Sequence, residues 1–175
     1  TWPMKGADCS AAVQSALGLG YRHIDTAEMY GNEDAVGAGI AASGIPRAEI
    51  FLTTKVWYDK PRGPAIRAAF ETSLARLGTA YVDLLLIHWP SAELDLPDAL
   101  AMLATLRAEG HARAIGVSNF PAGLLQRAIA QQRGLACLQV ECHVLLDQSV
   151  LRDICVANDM VLTAYSPLAK GEALD

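Results

Sequence analysis

Residues 82–117 read VDLLLIHWPSAELDLPDALAMLATLRAEGHARAIGV. The apolar run at 82–88 predicts a strand, and Pro97 is typical of the first turn of a helix. Three leucines then follow at intervals of three residues and predict a helix that ends at Gly110. A second apolar run at 112–117 predicts another strand. Two strands joined by a helix must be parallel, because the helix carries the chain back to the starting end of the sheet.

The same alternation of strand and helix runs through the whole chain. We predict strands at residues 21–26, 50–56, 82–88, 112–117, 135–141 and 160–164, and helices at 9–17, from 32, 66–78, 97–110, 121–132 and 149–158. This α/β pattern fits an open doubly wound sheet or a closed (β/α)8 TIM barrel. A dinucleotide-binding open sheet carries G-x-G-x-x-G at its first strand-to-helix turn, and no such turn here has that pattern, since Gly37 and Gly39 fall inside a helix. The sequence therefore favours the barrel.

The length predicts an incomplete barrel. The chain has 175 residues, whereas a complete (β/α)8 domain typically has about 250. Six complete strands are predicted, and Thr1-Trp2 resembles the end of another. We therefore expect residues 1–175 to form a single truncated barrel domain whose first strand and C-terminal part are missing or disordered.

Composition narrows the classes of function. The chain has 14 Lys and Arg against 19 Asp and Glu, a net charge of −5, which argues against binding to nucleic acid or to anionic membranes. The apolar runs are far shorter than a membrane span, and the first residues lack the order of a signal peptide, so we expect a cytoplasmic protein. The four cysteines lack metal-ligand spacing and are expected to be reduced core residues, with no metal site.

Ionisable residues end three consecutive predicted strands. Alternate strand residues share a face, which places Asp25, Lys55 and His88 at the last inward position of their strands. Tyr30 follows five residues after Asp25. A lysine ammonium beside a phenol lowers the phenol pKa, an aspartate would hold the lysine in place, and a histidine could orient a carbonyl oxygen. Such a group suits the addition of hydride to a carbonyl, with Tyr30 as proton donor and no metal.

Six short motifs carry a family resemblance. They are DTAEMYGNE at 25–33, TTKVW at 53–57, LIHWP at 86–90, GVSNF at 116–120, QVECH at 139–143 and AYSPL at 164–168. In this order and spacing the chain resembles the aldo-keto reductases, and its pattern is most similar to bacterial diketogluconate-reductase-like members. The resemblance implies NADPH-dependent, reversible reduction of aldehydes and ketones by a protein that is a monomer. NADH remains an alternative cofactor.

The resemblance also implies roles for individual residues. It makes Asp25, Tyr30, Lys55 and His88 a catalytic tetrad. Ser118, Asn119 and Gln139 would bind the nicotinamide carboxamide, Tyr165 would stack on the ring, and Ser166 and Leu168 would lie near the pyrophosphate. Trp2, Trp57 and Trp89 would form aromatic walls around a small carbonyl substrate. An alternative for Ser118 and Asn119 is that they only cap the helix that begins at Pro121.

Two other functions stay open at this point. One is a nucleotide sensor or scaffold subunit that keeps the fold and the cofactor site but has little turnover. The other is a metal-dependent barrel lyase or isomerase, against which the sequence offers no convergent set of histidine and carboxylate ligands. The complete tetrad favours the reductase over both.

Overall fold

A computed structural model of the protein describes residues 1–60 and 62–174. The strands are β1 (His23–Asp25), β2 (Phe51–Val56), β3 (Val82–Ile87), β4 (Ala112–Ser118), β5 (Cys137–Glu141) and β6 (Val161–Tyr165). The α-helices are α1 (Gly6–Gly18), α2 (Glu33–Ala42), α3 (Gly63–Leu77), α4 (Leu96–Ala108), α5 (Ala122–Gln131) and α6 (Ser149–Ala157). Three short 3-10 helices lie at Glu28–Tyr30, Arg47–Glu49 and Ala169–Leu174.

The six strands form one parallel sheet in the order β1-β2-β3-β4-β5-β6. This confirms the predicted alternation of parallel strands and helices. The observed β1 is shorter than predicted, because the Tyr21 N–H is taken by the carbonyl of Ala16 in the turn that follows α1. Thr1-Trp2 is not a strand: the Met4 N–H donates to the Thr1 carbonyl and closes a turn there.

Alternate residues of each strand point to opposite sides of the sheet. Most outward side chains are apolar and pack with the helices in one large core that includes Leu52, Leu85, Ile115 and Leu138. The inward side carries a small separate cluster of Leu84, Leu86 and Cys137. The predicted assignment of strand faces is therefore correct, and burial of the outward face against helices is the main source of stability.

The sheet is strongly curled. Three strands separate β1 from β5, so in a flat sheet these two strands would lie about 19 Å apart. Yet Gln139 Nε2 on β5 donates to Asp25 Oδ2 on β1 across 2.9 Å. Only a sheet that bends around its inward face allows this contact, as expected for six strands of a (β/α)8 barrel.

Close packing inside the curl depends on a glycine. A Cβ atom at Gly116, on the inward face of β4, would lie 2.3 Å from the Cys137 carbonyl oxygen and 2.9 Å from Leu86 Cδ2. No side chain fits there without movement of the β5 backbone. Gly37 and Gly39 lie within α2, as predicted.

The cysteines and the helices add two further observations. Cys9, Cys137 and Cys155 are buried, Cys142 is half-buried, and all four are free. In residues 1–60 and 62–174, no helix is both long and apolar enough to cross a membrane.

Candidate active site

The polar side chains at the carboxyl ends of the strands surround one cavity of about 490 Å³. Ten residues predicted for the site line it: Trp2, Asp25, Tyr30, His88, Trp89, Ser118, Asn119, Gln139, Tyr165 and Ser166. The volume lies within the range of roughly 300–1,000 Å³ that is typical of small-molecule sites. In parallel α/β folds this end of the strands is where sites are built.

Lys55 lies beneath the cavity and is fully buried. Its Nζ donates to Asp25 Oδ1 at 2.5 Å and to the Thr26 carbonyl at 2.9 Å. The Tyr30 hydroxyl lies 3.5 Å from the same Nζ, at the long limit of a hydrogen bond. Asp25, Lys55 and Tyr30 thus form one connected group, as the strand-end argument predicts.

The pKa values in this group differ from the sequence-based prediction. Burial, and then the negative charge of Asp25, raise the pKa of Tyr30 above its ordinary value, whereas Lys55 was predicted to lower it. Burial lowers the pKa of Lys55 itself, and the Asp25 carboxylate opposes this effect. The direction is opposite to the predicted one because burial disfavours the phenolate and the negative charge of Asp25 adds to this effect.

His88 packs edge-on between two aromatic rings. Its ring centroid lies 5.5 Å from that of Tyr30 and 5.1 Å from that of Trp57, at interplanar angles of 77° and 74°. Burial, with a smaller effect from Lys55, lowers the pKa of His88 to about 4. His88 Nδ1 is buried and has no hydrogen-bond partner among the described residues. The imidazole is therefore neutral at pH 7.

Three residues predicted to bind a carboxamide lie on β4, β5 and the loop between β4 and α5. The Ser118 hydroxyl donates to the Gln139 carbonyl at 2.9 Å, and Asn119 Nδ2 donates to the His88 carbonyl at 3.0 Å. Asn119 has a left-handed φ of 60°, a conformation that asparagine tolerates better than most residues. Helix α5 has Pro121 at its N-cap and no side-chain cap. The alternative that Ser118 and Asn119 merely cap this helix is wrong.

Two of the three site residues predicted at 165–168, Tyr165 and Ser166, lie at the cavity. The Tyr165 hydroxyl donates to Asn119 Oδ1 at 2.9 Å, and Ser166 lines the cavity with a left-handed φ of 48°. Leu168 is 54% exposed and does not line the cavity. Further left-handed residues, at Ala169 and Lys170, turn the chain so that Lys170 lines the cavity and Leu168 does not.

The three tryptophans occupy different positions around the mouth. Trp2 and Trp89 line the main cavity and are 62% and 41% exposed. Trp57 lines an adjoining recess together with Tyr58 and Trp89, and reaches the site through its ring contact with His88. The predicted aromatic walls are thus placed around one opening, with Trp57 at its side.

Sequence reasoning missed four residues at this site. Thr1, Met29 and Lys170 line the cavity, and Glu28 accepts a hydrogen bond from the Trp57 backbone. Glu28 and Met29 lie directly before Tyr30 in the motif at 25–33, so their sequence positions could have pointed to the site. No sequence pattern pointed to Lys170, because its position at the cavity depends on the left-handed turn at Ala169 and Lys170.

Comparison with known proteins agrees with this geometry. The model of the Aldo/keto reductase family matches residues 1–174. Glyoxal reductase of Bacillus subtilis (strain 168) is 43% identical over 171 residues, which are 97% of this chain and 62% of the relative. The chain spans about three fifths of the length of the curated relatives it matches.

Two solved structures extend the comparison. The aldo/keto reductase from Brucella melitensis superposes with a TM-score of 0.94 at 43% identity, over 100% of this chain and 68% of that one. The Bombyx mori aldo-keto reductase in complex with NADP superposes with a TM-score of 0.84 at 36% identity, over 90% of this chain and 55% of that one. These matches confirm both the fold class and the resemblance that the motifs predict. The chain belongs to the aldo/keto reductase family.

Proposed function

We propose that the protein reduces aldehydes and ketones to alcohols, with a nicotinamide cofactor as hydride source and Tyr30 as general acid. One observation carries the proposal. The Tyr30 hydroxyl, the Lys55 ammonium and the His88 ring meet beside a cavity that the amides of Asn119 and Gln139 also border. A proton donor and a set of amide-binding groups thus face the same space.

Tyr30 holds the proton that the reaction needs. The phenol is protonated at neutral pH and can give this proton to a carbonyl oxygen as negative charge develops on it. Burial and Asp25 raise its pKa and so make it a weaker acid, which makes the transfer depend on the nearby ammonium. Lys55 Nζ, 3.5 Å from the phenol oxygen, stabilises the phenolate left after the transfer. Asp25 holds that ammonium in place at 2.5 Å. Solvent then returns a proton to Tyr30.

His88 is suited to orient the substrate oxygen. A neutral imidazole has one N–H donor and one bare nitrogen. Since Nδ1 is buried without a partner, we assign the proton to Nε2, which can donate to a carbonyl oxygen in the cavity. The lowered pKa keeps this imidazole neutral at pH 7, so that His88 orients the oxygen and Tyr30 donates the proton.

The residues present fit a nicotinamide cofactor. A bound reduced nicotinamide would supply the hydride for the carbonyl carbon. Gln139 Nε2 and the Asn119 amide now bond to Asp25 and Tyr165, and these side chains can exchange those partners for a carboxamide, which offers one acceptor and two donors. The Tyr165 ring borders the same space, and Lys170 offers a cation for phosphate. NADPH is proposed rather than NADH from the family resemblance, and the NADP complex of the Bombyx mori relative supports this.

The substrate is proposed as a small aldehyde, ketone or dicarbonyl. Trp2, Met29 and Trp89 are exposed at the mouth, where an apolar substrate chain can cover them. Only residues 88–95 join β3 to α4, so the loop over the cavity is short and leaves room for varied substrates. The name of the Bacillus subtilis relative supports glyoxal as a first compound to test. The monomeric state and cytoplasmic location stay predictions.

Turnover assays with a matched tyrosine control test this proposal. Oxidation of NADPH or NADH is followed by absorbance over a panel of aldehydes and dicarbonyls, for wild type, Tyr30→Phe and Tyr21→Phe. Tyr21 is exposed at the opposite end of the barrel, so its variant should keep full activity. We expect Tyr30→Phe to lose about 10²-fold to 10⁴-fold in kcat while cofactor still quenches protein fluorescence. Cofactor binding without turnover in the wild type would instead support a nucleotide sensor.

A further inference from the structure

Glu28 connects two loops that border the candidate active site. It begins the 3-10 turn Glu28–Tyr30 that follows β1, while Trp57 follows β2. Glu28 Oε2 accepts a hydrogen bond from the Trp57 backbone N–H at 3.0 Å. Its other oxygen, Oε1, lies 3.3 Å from Lys60 Nζ. One carboxylate therefore binds the loop after β2 at two points.

The backbone of the turn that carries Tyr30 has few other hydrogen bonds to hold it. None of its three residues is fully buried, and the turn has no side-chain cap. Its backbone bonds are local, from Tyr30 N–H to the Ala27 carbonyl and from Gly31 N–H to the Glu28 carbonyl. Lys5 Nζ donates to the Tyr30 carbonyl from an exposed position. A three-residue 3-10 turn has little stability of its own, so its position depends on such external contacts.

Both loops supply rings that pack against His88. Tyr30 contacts one side of the imidazole and Trp57 the other, both edge-on. A change in the distance between the two loops would therefore alter the position of the Tyr30 hydroxyl relative to the His88 ring. The Glu28 side chain is 20% exposed and that of Lys60 is 24% exposed, so solvent only partly screens these contacts.

We propose that Glu28 is a positioning residue, which fixes the Tyr30 turn against the Trp57 loop through its hydrogen bond to the Trp57 N–H. This inference rests on the proposed function for its kinetic consequence, because a misplaced Tyr30 matters to catalysis only if Tyr30 donates the proton. That Glu28 holds the two loops together does not depend on the proposed function. The hydrogen bond has a charged acceptor, and such bonds are about twice as strong as neutral ones, while the ion pair with Lys60 is more exposed and contributes less.

Four variants separate these contacts. Glu28→Met keeps the side-chain length and removes the acceptor. Glu28→Gln keeps an oxygen for the Trp57 N–H and removes the charge. Lys60→Met removes the ion pairs of Lys60 with Glu28 and with Asp59 and leaves the hydrogen bond to the Trp57 N–H in place. Glu49→Met makes the same substitution as the first at an exposed site before β2, at the opposite end of the barrel.

Two readouts are measured on each folded variant. The first is kcat and KM. The value of kcat is calculated per NADPH-binding protein molecule, so that unfolded molecules do not lower it. The second is hydrogen exchange of the Trp57 amide by NMR, which needs no turnover. We expect Glu28→Met to lower kcat on the order of tenfold with KM within about twofold, and to speed exchange at Trp57 by a similar factor. Glu28→Gln should restore both, and Lys60→Met and Glu49→Met should resemble wild type.

Several outcomes would overturn the inference. The inference is refuted if Glu28→Met keeps wild-type kcat and wild-type protection of the Trp57 amide. It is also refuted if Glu28→Gln loses as much kcat and amide protection as Glu28→Met. Should Glu28→Met not fold, exchange at Trp57 in Glu28→Gln decides: retained protection supports the hydrogen bond, and lost protection overturns it. A wild type without turnover on any carbonyl refutes the proposed function, and the exchange data then still decide whether Glu28 holds the two loops together.

Discussion

Acidification should destabilise the protein through His88. The pKa of this imidazole is about 4 in the folded protein, against 6.5 for an unperturbed histidine, because burial disfavours its charged form. Between these two values the unfolded chain takes up a proton that the folded chain does not. The free energy of unfolding therefore falls as the pH falls below 6.5, and the loss is complete below about pH 4.

The size of this effect follows from the shift. A difference of about 2.5 pKa units corresponds to about 3 kcal/mol in total, and about 2 kcal/mol of it is lost by pH 5. The residue is only 6% exposed, so solvent screening reduces this figure little. Other groups also titrate in this range, and a variant without the imidazole is needed to isolate the contribution of His88.

Equilibrium urea unfolding at pH 7, 6, 5 and 4.5 measures the effect in wild type and His88→Gln. The difference in unfolding free energy between the two proteins should change by about 2 kcal/mol from pH 7 to pH 5, with wild type losing more. His23, whose pKa is also lowered by burial, is present in both proteins and cancels. Parallel curves for the two proteins would refute the burial argument, and with it the neutral imidazole assigned to the mechanism.

Three further predictions follow from the same site and its surroundings. Lys55→Met should abolish turnover, because no ammonium remains to stabilise the Tyr30 phenolate, and it should lower the free energy of unfolding in urea by about 3 kcal/mol, because Asp25 loses the buried partner of its ion pair; wild-type turnover in this variant would contradict the role of Lys55. Gly116→Ala should lower the free energy of unfolding by about 1–3 kcal/mol, because its Cβ would overlap the Cys137 carbonyl, whereas the control Gly123→Ala, with open space in helix α5, should be neutral or stabilising in the same thermal unfolding series. Alcohol oxidation needs Tyr30 as a base, so its rate should still rise above pH 10 without a plateau, because the pKa of Tyr30 is raised; a plateau near pH 8 would mean that the phenol ionises easily.

Local sequence was sufficient to predict most of the architecture. Apolar spacing places strands and helices within a few residues of their observed bounds, and strand alternation correctly sends Lys55 inward and Leu85 outward. Both signals act over a few residues, since side-chain direction repeats every two residues in a strand and every 3.6 in a helix. The motifs around Asp25 and His88 then indicated which end of the sheet carries the site.

Contacts between distant segments could not be predicted in this way. The pKa of Tyr30 depends on how deeply the phenol is buried and how near it lies to Asp25 and Tyr165. Lys170 lines the cavity and Leu168 does not, because a left-handed turn redirects the chain between them. The role proposed for Glu28 depends on its contact with the loop after β2, which local sequence does not reveal.

The sequence by itself determined the family, the parallel order of the strands and the identity of the polar residues at their carboxyl ends. These properties are written in residue types and in short-range spacing. The tertiary structure alone decided which of those residues meet, which protons they hold and which neighbours keep them in place. The physical reason is that burial, electrostatic fields and hydrogen bonds depend on distances between atoms that the curl of the sheet brings together, such as Asp25 and Gln139, 114 positions apart in the chain.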